Sequence, residues 1–198
     1  MLVYAYHISE DFMRRYFLGL LLVVGLLILL IVLIVGGGSK AKVPTSSRTL
    51  DSYASSNATV SMEIDGPINA QSEHNQVLMT ISNSSATIEA LNGYNGSVAS
   101  SMTYTNSEAS YDAFLHALEY AGFTEGTAGS SLSNDSGYCP TGDRYIFELQ
   151  QNGSTLERYW TTNCSGTLHT FEGDTGLIST LFQAQIPDYA TMVQDLDL

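Results

Sequence analysis

Apolar positions fall in two regimes along this chain. From Phe17 to Val35, nineteen residues run without a charge, and no polar stripe interrupts them. A helix over that run would meet lipid on every face and span roughly 28 Å, close to the thickness of a bilayer's hydrocarbon core. A secretory signal has a shorter apolar region, about 7–15 residues, and its best cleavage candidate here is Ser39-Lys40-Ala41. A soluble helix would need a core thick enough to surround it, and the rest of the chain is too polar for that. The pattern predicts an uncleaved transmembrane helix over 17–35, with a cleaved signal as the competing reading.

Beyond the run the pattern shortens to alternation. Val60, Met62 and Ile64 alternate with polar residues and predict a strand stopped by Gly66-Pro67. Strands are predicted over 77–82, 87–91 and 98–104. Asn106 or Ser107 then caps a helix to about Ala121, with Tyr111, Phe114, Leu115, Leu118 and Ala121 on one face and Gly122 at its stop. Residues 124–137 are Gly-, Ser- and Asn-rich and read as a mobile loop. The second half predicts strands over 144–150 and 155–162 joined by an Asn152-Gly153 turn. A strand follows over 167–171. Asp174 caps a helix to about Ala184, with Leu177, Ile178, Leu181 and Phe182 inward, and Pro187 ends it. The acidic tail 188–198 reads as loose at its end.

The predicted fold class is α+β: an N-terminal transmembrane helix followed by an antiparallel-sheet domain. At an offset of 68 residues the halves match, Asn106 on Asp174 and Phe114 on Phe182. The match suggests two βββα units, about 76–122 and 144–190, against the alternative of two ordinary amphipathic layouts that coincide. The domain division is a cytoplasmic tail (1–16), the transmembrane helix (17–35), a flexible linker (36–50) and an extracytoplasmic domain (51–198). Gly, Ser and small polar residues over 36–47 make the linker flexible.

Charge changes the picture in one respect. From Thr49 onward, eighteen Asp and Glu face only two basic residues, Arg144 and Arg158, a balance of −16. Such a surface repels nucleic acid and anionic headgroups. It favours solubility, and beyond that a basic protein partner or weak divalent-cation binding. The positive-inside rule is nearly balanced, Arg14 and Arg15 against Lys40, Lys42 and Arg48. The short N-terminal segment against a whole C-terminal domain favours the N-terminus inside, with Tyr4, Tyr6, Phe12 and Tyr16 at the inner interface.

Candidate chemistry is sparse. Cys139 and Cys164 are the only cysteines and flank the predicted hairpin, so they read as a structural disulfide in an exported domain. A metal or redox role fits less well: Cys139-Pro-Thr-Gly142 lacks a second Cys, and adding His169 gives only three zinc ligands. The four histidines, His7, His74, His116 and His169, do not cluster. Neither a nucleophile elbow, an H-E-x-x-H pair, a P-loop nor a dinucleotide fingerprint occurs. Carboxylates such as Glu63, Asp65, Glu172 and Asp174 are too common to mark a site, and helix capping explains Asp174 better than calcium. Tyr159 and Trp160 alternate across a strand, so one of them is a candidate exposed contact, although a core Trp is the commoner case. Six Asn-x-Ser/Thr acceptor patterns, from Asn57 to Asn163, matter only in a glycosylating host. The sequence thus predicts no catalytic, cofactor or metal residue.

The segments Cys139-Pro-Thr-Gly-Asp-Arg-Tyr-Ile-Phe-Glu-Leu149, Trp160-Thr-Thr-Asn-Cys164, Gly166-Thr-Leu-His-Thr-Phe-Glu-Gly173 and Leu181-Phe-Gln-Ala-Gln-Ile-Pro-Asp-Tyr189 resemble membrane-anchored envelope proteins of ultrasmall, host-dependent bacteria of the Saccharibacteria type. The resemblance implies one N-terminal anchor and one exported domain, and it carries over no site residue. The expectation is a non-enzymatic, single-pass, membrane-tethered binding or scaffolding module. It would be held in the membrane by residues 17–35, with a protein partner in the envelope and self-assembly as a further option. An inhibitor or ligand-binding module acting on a secreted enzyme is the alternative, and a hydrolase with a cryptic site is the third class.

Overall fold

The computed structural model describes residues 49–127, 133–196 and 198. The predicted tail, anchor and linker up to residue 48 lie outside the described residues. Among the described residues no helix is long and apolar enough to cross a membrane.

Six strands form one antiparallel sheet in the order β4-β3-β2-β1-β5-β6. They are β1 (Ala58–Asp65), β2 (Asn75–Ser82), β3 (Ser85–Asn92), β4 (Ser97–Thr105), β5 (Arg144–Gln151) and β6 (Ser154–Thr162). Strand β1 is central. Its alternation sends Val60, Met62 and Ile64 to one face, where Met62 lies between Met79 of β2 and Phe147 of β5. Between β5 and β6, Asn152 and Gly153 both have positive φ, 52° and 77°, as a tight two-residue turn requires.

Two helices cover that apolar face. Helix α1 (Glu108–Tyr120) starts at Ser107, whose hydroxyl accepts from Ser110 N, and it stops at Gly122, whose φ of 77° closes the last turn. Helix α2 (Thr175–Ala184) starts at Asp174, whose Oδ1 accepts from Leu177 N at 2.9 Å. Phe114 of α1 meets Phe182 of α2 edge to face at 5.2 Å. Tyr111 is fully buried and donates its hydroxyl to Ala58 O at 3.1 Å, tying α1 to the start of β1. Each such ring contributes about 1.5–3 kcal/mol by leaving water.

Several expectations are corrected. Residues 167–171 are not a strand. Only an isolated bridge joins Phe171 to Gly126. The Thr170 hydroxyl accepts from Trp160 N at 2.8 Å, a bond that a backbone carbonyl would make in a ladder. The Thr170 carbonyl is taken instead by Thr127 N. This segment still meets the outer edge of β6 at one residue, since Thr170 N and Phe171 N both donate to Trp160 O.

Two βββα units do not form. The second half lacks a third strand, and the matched hairpins are related as mirror images. Strands β2 and β5 both run antiparallel to β1 with the same face inward. Strand β3 then lies beyond β2 on one side of β1, and β6 lies beyond β5 on the other. Hairpins that step in opposite directions with the same face inward cannot be superposed by rotation. One sheet and one core replace two repeats.

Three boundaries also move. Leu50, placed in the linker by composition, opens a 3-10 helix (Leu50–Tyr53) and is 2% exposed. The tail forms α3 (Tyr189–Val193), and Met192, Val193, Leu196 and Leu198 pack against the core. In the predicted mobile loop, Asp135 is buried and bound by Arg158 at 2.6 Å, so the described part beyond residue 132 is pinned. Finally, Leu177 faces outward at 36% exposure, because the inner stripe of α2 is Ile178 and Phe182, with Leu181 partly buried beside them as expected.

Candidate functional site

The second face of the sheet carries the polar half of each alternation. Across its centre the residues form rows set by register. Gln76, Asp65 and Arg144 make the first, Leu78, Glu63 and Ile146 the second, and Thr80, Ser61 and Glu148 the third. Among the described residues the α-helices lie on the other face, and these rows are covered only at their ends.

One end is plugged. Asp65 Oδ2 accepts from Arg144 Nε at 2.9 Å and Nη2 at 2.6 Å, and Oδ1 accepts from Gln76 Nε2 at 3.1 Å. Arg144, 2% exposed, also donates to Gly66 O and Tyr138 O. His74 is fully buried beneath Tyr94, ring centroids 4.0 Å apart, with Nδ1 3.0 Å from Pro67 O. Its Nε2 lies 2.8 Å from Asp65 Oδ1 with no hydrogen bond between them. On the β6 side, Arg158 is clamped between Asp135 at 2.6 Å and Glu148 at 3.0 Å. Both arginines of the domain are therefore engaged internally.

Between these ends lies a groove of about 260 Å3, lined by Thr59, Ser61, Glu63, Leu78, Thr80, Ile146, Glu148 and Gln150. Glu148 is held by Arg158 Nε and by Gln150 Nε2 at 2.7 Å. Glu63 differs. It stands between two apolar neighbours, and among the described residues no hydrogen bond or ion pair reaches its carboxyl. Burial pushes its pKa up to about 7, reinforced by the negative charges of Asp65, Asp135 and Glu148 and opposed by Arg158. A carboxyl in that position exchanges a proton near neutrality and favours any cation that reaches it.

The raised pKa has a thermodynamic consequence. The unfolded chain releases this proton near pH 4.5, whereas the folded protein holds it to about pH 7. The folded state therefore binds more protons in that window. The contribution of Glu63 to stability is greatest below pH 4.5 and falls as pH rises through 7, by about 2 kcal/mol after screening by groove water. Glu63→Gln is expected to raise stability by most of that amount at pH 8 and to leave it nearly unchanged at pH 4. Urea midpoints followed by the fluorescence of Trp160, the only tryptophan, measure both.

The sequence-derived candidates are scattered. Cys139 and Cys164 are bonded, with Cα atoms 5.6 Å apart, at the base of the β5–β6 hairpin. His116 is exposed on α1, 3.5 Å from Asp51. His169 lies in the irregular segment after β6 rather than in a strand, near Thr167 O. Tyr159 and Trp160 are both buried, at 9% and 0% exposure. Tyr159 faces the helices, while Trp160 is covered on the second face by Tyr138, 4.8 Å away. The groove was not legible beforehand, because Glu63 becomes distinctive only once Leu78 and Ile146 are known to flank it. The sequence matches no family model and no curated protein.

Proposed function

We propose that this chain is a membrane-tethered, extracytoplasmic binding or scaffolding module of the cell envelope, and that its uncovered sheet face takes a basic protein partner. The observation that carries the reading is the combination on that face of an open groove with the unpaired carboxyl of Glu63, in a domain whose two arginines are already neutralised internally. Charge complementarity of this kind steers and selects a partner more than it adds raw affinity. The disulfide supports an oxidising compartment, and the uncharged apolar run 17–35 supports the tether. Strand β4 is uncharged and exposed over nearly its whole length, which supports the further option of assembly between copies through an open strand edge.

Fractionation of native cells tests the tether. The full chain is expected to stay with the membranes through an alkaline carbonate wash and to leave only with detergent. Its domain should be cut by protease added outside intact cells. Crosslinking followed by pull-down from those membranes should then retrieve a basic protein. Recovery of the full-length chain in the aqueous fraction, with residues 17–35 retained, would overturn the tethered reading.

A further inference from the structure

The groove on the uncovered sheet face is built to receive one kind of group. Its central carboxylate, Glu63, is walled by Leu78 on β2 and Ile146 on β5. Hydroxyls of Ser61, Thr59 and Thr80 lie in the same lining, and Glu148 and Gln150 complete it on the β5 side. Apolar walls suit a methylene stem, and an acceptor-only carboxylate with neighbouring hydroxyl oxygens suits a compact ammonium with three donors. A guanidinium is rigid and planar and is best matched by a bidentate carboxylate in an open fork, which a carboxyl set between two aliphatic walls does not offer. From this lining we infer that the groove binds a lysine side chain of a basic protein partner, with the Glu63 carboxylate on the ammonium and Leu78 and Ile146 along the stem. The inference rests on the proposed binding role of this face and names the chemistry that it recognises.

Proton balance follows from the same geometry. The charged groups that act on Glu63 are Asp65 on β1, Glu148 on β5, Arg158 on β6 and Asp135 in the loop before β5. Strand β2 adds only uncharged Leu78, with Gln76 and Thr80 beside it, and β3 places Glu89 beyond Leu78. Three of the four acting groups are negative, so the empty groove favours the protonated acid. An arriving ammonium reverses that preference. Binding releases the carboxyl proton to solvent, and no bond other than O–H breaks. Affinity should rise roughly tenfold from pH 6 to pH 8.5, following the ionised fraction of a group that titrates near 7.

The test uses the full chain in non-ionic detergent, carbon-13 labelled at carboxyl and methyl positions. The probe is a short lysine-containing peptide with capped ends, compared with its norleucine and arginine counterparts. The expected result is a lysine-dependent shift of the Leu78 and Ile146 methyls, tighter binding at high pH, and a fall of at least one unit in the titration midpoint of the Glu63 carboxyl on saturation. Glu63→Gln should keep the fold and abolish the pH dependence. Three outcomes overturn the inference: equal shifts with norleucine, tighter binding of arginine, or a pH dependence that survives in Glu63→Gln. The first two reject lysine as the occupant, and the third moves the contact elsewhere on the acidic surface. In the first two the binding role of the face still stands, whereas the third removes the groove as the contact and leaves the tethered binding role of the domain. Only failure to retrieve a basic partner from native membranes removes that role as well.

Discussion

Arg144→Met is expected to lower the unfolding free energy by about 3–5 kcal/mol, the range for removing one partner of a buried ion pair. The guanidinium is the hub of the plugged end of the second face. It donates to Asp65 from Nε and Nη2, to Gly66 O from Nη2 as well, and to Tyr138 O from Nη1. Methionine fills much of its volume but leaves Asp65 Oδ2 and two backbone oxygens without a donor. Asp65 retains Gln76 and the adjacent His74, which limits the loss. Arg144→Lys keeps the charge but places it at a single point, so it should recover only part of the stability. Pairing Arg144→Met with Asp65→Leu should cost less than the sum of the single changes, because the uncompensated carboxylate is then gone. Denaturant unfolding followed by Trp160 measures all four variants. An Arg144→Met loss below 1 kcal/mol would show that the network is solvated and does not hold the sheet end closed.

Removing the Cys139–Cys164 disulfide, by paired substitution with serine, is expected to cost about 3.5 kcal/mol. That is the chain-entropy value for a loop of 25 residues. The loss should not fall evenly. The disulfide ties the segment before β5 to the segment after β6, and Tyr138, next to Cys139, covers the Trp160 ring. Local opening is therefore expected to expose Trp160 first, seen as a red shift of its emission at denaturant concentrations where the far-ultraviolet helical signal is intact. Intact mass of the native protein, alkylated with and without prior reduction, checks the premise. Two free thiols would place the domain in a reducing compartment and reverse the proposed topology.

The two effects come from features of unequal legibility. The cysteine pair could be read from count and position alone. The arginine network could not, because its members are 79 residues apart in the case of Asp65 and Arg144. Nothing in the local pattern at either position announces a partner. His74 lies in the loop before β2 and is fully buried there, since Tyr94, from the turn after β3, closes over it. Glu63 was one carboxylate among eighteen in the domain until register set it between Leu78 and Ile146.

Sequence by itself determined the elements whose physics is local. Short apolar patterns located β1 through β5, the Asn152-Gly153 pair located the tight turn and with it β6, and Asn106 or Ser107, Gly122 and Asp174 located helix ends through capping and positive φ, Ser107 being the cap. Local signals misread residues 167–171, where alternation suggested a strand but a threonine hydroxyl replaced the ladder bond. They also misread the tail, whose spaced apolar residues had no visible target until the core existed to receive them. Tertiary structure alone decided that the two halves share one sheet, with β1 inserted between β2 and β5. It also decided which carboxylates are paired and which one is left facing a groove. The reason is that strand order and cross-strand neighbours depend on contacts between distant segments, and a side chain's charge state depends on what those contacts bring beside it.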